Sequence, residues 1–285
     1  MTGTMFDEVY HGRTAYEFLH GLTTYETTHP HLGKILISMG ILGFGMTPFG
    51  WRFMSAFFGI LIIPVMYLFA KKLLKNTYLA TATTALLVFD CMHFTLSRIA
   101  TIDIFAAFFI LLMYYYLYQY FTADQAYRKS RNALTDSFPP SSVYTPLALC
   151  GINMAFGIAT KWTGVYAGLG LGILFVWYTL MNFPKKQWTR LLGFCCVFFI
   201  AIPLIVYTLC FIPVVGYTPY KNLLDKVISG TQYMFHYHST LVAEHYYSSP
   251  FYEWPVIWMP LLDANDALIQ VPDQEGEICV SGTCV

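Results

Sequence analysis

Apolar residues in this chain run in long blocks rather than alternating with polar ones. Residues 104–123, 143–160, 162–184 and 191–220 contain no Asp, Glu, Lys or Arg, and 53–70 is alike. Residues 77–97 are interrupted only by Asp90 and His93. A helix crosses a bilayer core with about 20 apolar residues. The pattern therefore predicts six spans, near 50–71, 77–97, 103–122, 144–160, 164–183 and 190–212. The 35–51 run is broken by glycines and Pro48, and reads as a helix lying at the membrane surface over about 32–47. A short amphipathic helix is expected before it, over about 8–20. Residues 213–260 read as an external loop and 261–285 as a divergent polar tail.

Composition agrees with this division. Of 285 residues, 56% are hydrophobic and only 11% charged, against about 25% charged in soluble domains. Formal net charge is zero, so no bulk electrostatic argument points to nucleic acid. Five of the seven cysteines lie in apolar runs, where a small buried thiol is ordinary. Cys279 and Cys284 lie in the polar tail, where they would pair if that tail is exported. No cysteine spacing is of the zinc type.

Basic residues set the orientation. Lys71, Lys72, Lys75, Arg128, Lys129, Arg131, Lys185, Lys186 and Arg190 make up more than half of the 16 Lys and Arg, and they fall in alternate loops. Cytoplasmic loops carry such excesses. The N-terminal segment, 97–103, 161–164 and everything after about 213 then face outward. No basic segment followed by an apolar stretch marks a signal peptide at the N-terminus. An outward N-terminus carrying Asp7, Glu8 and Arg13 leads to the expectation that an earlier span precedes it in a longer protein.

The outward ends hold unusual chemistry. Asp7, Glu8, Glu26, His29, His31, Lys34, Arg52, Arg98, Asp103 and Lys161 all map to or near one membrane face. Taken singly, each is an ordinary interfacial residue whose long side chain reaches water. Taken together, Arg52, Arg98 and Lys161 put cations where such proteins usually avoid them. Cations at helix mouths suit a phosphate carried by lipid, and a nearby carboxylate suits a base acting on a hydroxyl. Asp90 and His93 lie one turn apart on one helix face and read as a polar pair steadying the bundle.

The motifs "FDEVYHGRTAYEFLHG", "HPHLGK", "TPFGWRF", "SRIATID", "TKWTG" and "YHSTLVAEHYYSSPFYEWP" follow one another in the order of a known family. Over residues 5–260 the chain resembles a bacterial member of the protein O-mannosyltransferase family. The resemblance implies an all-α polytopic integral membrane protein, a lipid-carrier-dependent glycosyltransferase-type helical bundle with interfacial helices in its external loops. It implies inverting transfer of mannose from a polyprenyl-phosphate-mannose donor to Ser/Thr hydroxyls of exported polypeptides, at the extracytoplasmic face of a bacterial plasma membrane. Asp7 and Glu8 match the family's catalytic acid pair, with Asp7 as the base toward the acceptor. Arg52 matches its donor-phosphate ligand. Arg98 and Lys161 join that role by their outward location, with His29, Lys34 and Asp103 as supporting residues. No cofactor or metal site is implied, although a divalent cation is left open.

The sequence departs from the family at several points. His31 stands where the motif has its second proline. Thr27 stands where an acid is common, with Glu26 beside it as a substitute, and Met259 stands where an arginine is frequent. The 261–285 tail does not resemble the family, which leaves an inactive truncated member as one alternative. A sister lipid-carrier glycosyltransferase with another sugar or acceptor is a second. A transporter is a third; its ionisable groups would gather near mid-bilayer, and here only Asp90 and His93 do so.

Overall fold

The computed structural model describes residues 3–5, 7–130, 140–184, 187–217, 219–242, 279–280 and 283–284. Arg131, Lys185, Lys186, Met259 and most of both the 237–255 motif and the 261–285 tail lie outside them. The chain divides into two units, Met1–Met234 and Phe235–Val285.

The first unit is helical. It contains α1 (Glu8–His20), α2 (Leu32–Phe44), α3 (Pro48–Leu74), α4 (Thr77–Val88), α5 (Cys91–Leu96), α6 (Asp103–Ser130), α7 (Ser141–Thr160), α8 (Thr163–Asn182), α9 (Trp188–Cys195) and α10 (Ile202–Leu209). A last helix, α11, covers Leu223–Thr240. In the second unit, strands β1 (Cys279–Val280) and β2 (Thr283–Cys284) pair antiparallel, with the backbones of Cys279 and Cys284 opposite one another.

Among the described residues, five helical segments are long and apolar enough to cross a membrane: α3, α6, α7, α8 and the continuous Trp188–Leu209 rod. The rod contains α9, a π-helical stretch at Cys196–Ala201, and α10. Pro203 has no N–H to continue the usual ladder, and the π stretch lies just before it. The longest two, α3 and α6, are each about 40 Å at 1.5 Å rise per residue. Thr47 starts α3 by accepting the Gly50 N–H at 3.1 Å, and Pro48 occupies its first turn, where a missing N–H costs nothing.

Two elements differ from the sequence expectation. Residues 77–97 form two short helices instead of one continuous span, because Asp90 accepts the His93 N–H at 2.7 Å and starts α5 afresh. Asp90 and His93 are thus a local cap rather than a bundle pair. Within 213–260, expected as a loop, Asn222 accepts the Asp225 N–H at 2.8 Å and begins α11.

The core forms where α6, α7 and α8 meet. Met113, Leu117 and Tyr120 of α6 pack with Tyr144, Leu147 and Cys150 of α7 and with Leu171 and Tyr178 of α8. The α7–α8 connection is tight: a Cβ on Gly164 would stand 2.7 Å from the Gly157 carbonyl carbon. That closeness fixes Lys161 at the mouth of the hairpin. Helix α2 lies as closely on the neighbouring connections, since a Cβ on Gly33 would meet the Ile102 Cγ2 at 2.6 Å and the Thr160 Cγ2 at 3.3 Å.

Candidate active site

The polar residues anticipated at one membrane face are brought together by α1, the 21–31 segment, the start of α3, the 97–103 connection and the α7–α8 turn. Glu8 lies in the first turn of α1 and is buried. Its Oε1 accepts the Arg52 Nε–H at 2.7 Å and its Oε2 accepts Arg52 Nη2 at 2.6 Å. The same carboxylate accepts the Met5 N–H at 2.8 Å and the Ala100 N–H at 2.9 Å. Arg52 also donates to the Gly3 carbonyl at 2.8 Å. Glu8 is therefore the knot joining α1, α3 and the 97–103 connection.

Asp7 is placed differently. It is half-buried beside the helix start and makes no cap bond. Among the described residues its carboxylate has no hydrogen-bond or ion-pair partner. The charged groups facing it are His11, Asp103, Lys161 and Glu26. Burial, Asp103 and Glu26 together raise its proton affinity above that of an ordinary carboxyl, against the opposing pull of His11 and Lys161.

Lys161 donates to Asp103 Oδ1 at 2.6 Å, tying the α7–α8 turn to the start of α6. Arg98 is exposed and lies over the Phe94 ring, 4.5 Å from its centroid. It has no carboxylate partner among the described residues, and it stands two positions before the Ala100 N–H that binds Glu8.

A second knot supports the first. Lys34 is fully buried and pairs with Glu26 Oε2, while also donating to the carbonyls of Glu26 and His29 at 3.0 Å each. Glu26 Oε1 accepts the N–H groups of Thr28 at 2.7 Å and His29 at 3.2 Å. Burial alone would raise the Glu26 carboxyl, but Lys34 and His11 outweigh it and hold the group well below the usual range. Burial pushes Lys34 down from the usual ammonium value, and pushes His29 down to about 4. His31 is fully buried between the edges of Phe18 and Phe211, where burial keeps it neutral. It is a packing residue.

His11 was not singled out in the sequence. Its signal was position: four residues after Asp7 on the same helix. Among the described residues no group of three or more His, Cys, Asp or Glu side chains has the arrangement of a metal site.

Long apolar helices with a charged knot at their mouths define a multi-span helical membrane protein, and two solved structures are alike in fold. The Saccharomyces cerevisiae protein O-mannosyltransferase Pmt1–Pmt2 complex bound to the sugar donor superposes with a TM-score of 0.60 at 22% identity, over 73% of this chain and 30% of that one. ArnT from Cupriavidus metallidurans in the apo state gives 0.58 at 18% identity, over 90% and 44%. The sequence pattern of the dolichyl-phosphate-mannose-protein mannosyltransferase family matches residues 42–215, more than half of the chain, and the chain belongs to that family.

Among relatives, the polyprenol-phosphate-mannose–protein mannosyltransferase of Mycolicibacterium smegmatis is 24% identical over 326 aligned positions, covering 99% of this chain. That of Mycobacterium tuberculosis is 28% identical over 183 positions, covering 60% of it. The chain spans 61% of the length of the first and 35% of the second.

Proposed function

We propose that this chain carries the catalytic face of an inverting mannosyltransferase, which moves mannose from polyprenyl-phosphate-mannose to a Ser or Thr hydroxyl of an exported polypeptide. The transfer is set at the extracytoplasmic side of a bacterial plasma membrane. Family membership and the names of the relatives support the donor and the reaction class. The alternation of basic loops supports the side.

One observation carries the assignment of roles: of two adjacent acids, Glu8 is held on both oxygens by Arg52 and backbone N–H groups, whereas Asp7 has no such partner. A carboxylate saturated with donors is a poor base; one without them keeps its lone pairs for a hydroxyl. Asp7 takes the acceptor proton as the hydroxyl oxygen bonds to the anomeric carbon and the bond to the phosphate breaks. Arg98 meets the charge that develops on the leaving phosphate. Arg52, oriented by Glu8, and Lys161, oriented by Asp103, contribute to the same positive field. His29 and Lys34 hold the floor of the site through Glu26. On this reading transfer needs no cofactor and should survive chelation with EDTA; its loss on chelation would identify a divalent-cation requirement.

The test uses membranes containing the full chain, radiolabelled polyprenyl-phosphate-mannose and a Ser/Thr peptide. Labelled peptide is expected, and Asp7→Asn should abolish it. Equal labelling by the D7N variant overturns the role of Asp7. Label entering a lipid or glycan in place of the peptide overturns the acceptor class.

A further inference from the structure

Asp7 shares its face of α1 with a second titratable side chain. His11 follows one turn later, its backbone N–H bonded to the Asp7 carbonyl at 3.0 Å. Positions four apart on a helix are neighbours. The imidazole is 4% exposed, and its Nδ1 has no hydrogen-bond partner. That atom stands 3.6 Å from Glu26 Oε2, whose other neighbour is the buried Lys34 ammonium. The His29 ring lies 6.4 Å from the His11 ring, centroid to centroid.

The charged groups that face Asp7 come from four places: His11 on its own helix, Glu26 between α1 and α2, Asp103 at the start of α6, and Lys161 in the α7–α8 turn. Two of these are carboxylates. The Lys161 charge is already matched by Asp103 at 2.6 Å. His11 is the other group that favours the Asp7 carboxylate, and it sits on the same helix.

We propose that His11 is a positioning residue for Asp7: its imidazolium, backed by Glu26, holds the Asp7 carboxylate in the ionised form that accepts the substrate proton. The proposal rests on the reading of Asp7 as the base. The Glu26 carboxylate, 3.6 Å from His11 Nδ1, is the anion that matches the imidazolium charge in this buried position. The proton inventory balances. His11 keeps its proton throughout the transfer, Asp7 gains one from the hydroxyl, and that proton leaves to water after the product departs.

The test is an infrared pH titration of the full chain in membranes. The carboxyl band that disappears in Asp7→Asn reports Asp7 directly and needs no turnover. His11→Gln is expected to move the midpoint of that band up by about one pH unit. His11→Lys, which restores a permanent charge, is expected to return it to or below the parent midpoint. His11→Asn serves the same arm if the glutamine variant fails to accumulate.

Where transfer is measured, H11Q should move the acid limb of the pH–rate profile upward by the same amount, with rate recovering at higher pH. An unmoved midpoint in H11Q, or an H11K midpoint equal to that of H11Q, overturns the proposal. A moved midpoint together with undiminished transfer by D7N overturns the function instead, and with it any catalytic meaning of the pair.

Discussion

Glu8 and Arg52 meet across 44 residues of chain, each carboxylate oxygen accepting from a different guanidinium nitrogen. The pair joins the first helix to the first long apolar one. Removing one partner of a buried ion pair leaves the other charge unmatched, at about 3–5 kcal/mol. Arg52 keeps some exposure, so Glu8→Gln and Arg52→Gln should each fall near the lower end. Thermal unfolding in detergent measures both, and a double-mutant cycle should give coupling above about 1 kcal/mol. Arg52→Lys should rescue little, because an ammonium does not reproduce the two-pronged contact.

Asp7→Asn should separate activity from stability. The variant is expected to lose transfer by about 10²–10⁴-fold, the usual weight of a general base, while folding as well as the parent or better. The sign follows from the raised Asp7 proton affinity. The folded state binds that proton more tightly than the unfolded chain, so stability falls as pH rises from the ordinary 3.8 through the raised folded value. An asparagine mimics the protonated form and removes this loss. Melting temperatures of both proteins at neutral pH check it.

Glu26 should behave in the opposite sense. Its folded carboxyl is held well below the ordinary 4.5. Its stabilising contribution is complete above that value and is lost as pH falls toward the depressed one. Glu26→Gln should flatten the acid side of a stability-versus-pH curve. Lys34→Met should be worse than Glu26→Gln with Lys34→Met together, since the single change strands a buried carboxylate.

At the other end of α6, about 30 Å away by helical rise, Asp124 is fully buried and accepts from Arg128 at 2.7 Å and from the Tyr178 hydroxyl at 2.8 Å. Tyr178→Phe removes a hydrogen bond to a charged group and should cost about 1.5–3 kcal/mol. Transfer per folded molecule should be unchanged, because the change touches neither Asp7 nor its neighbours. Comparing specific activity with melting temperature separates the two effects.

Much of the helical framework could be read from uninterrupted apolar runs, because a segment shielded from water must satisfy its own backbone as a helix. The break at Asp90 could not, since a single carboxylate in an apolar run reads equally as a cap or a buried pair. The helix at Leu223–Thr240 was hidden among polar residues in a stretch taken for a loop. In the site, the adjacent acids were conspicuous, but their division of labour was not. Neighbouring positions on a helix point about 100° apart, so Asp7 and Glu8 face different surroundings. That geometry depends on which distant segments pack beside α1, and Arg52 and Ala100 settle it. The Glu26–Lys34 knot was half legible: Lys34 stood out in its motif and Glu26 among the acids of the outward face, but nothing in the sequence paired them.

The Thr24 N–H donates to the Val215 carbonyl at 2.8 Å, and the Val215 N–H donates to the Thr24 hydroxyl at 2.9 Å, across 191 positions. A growing chain leaves the ribosome with Asp7, Glu8 and Arg52 already made, yet this clasp must wait until Val215 has emerged. The segment between the first two helices is thus tied down only after more than 160 further residues have followed Arg52 out of the ribosome.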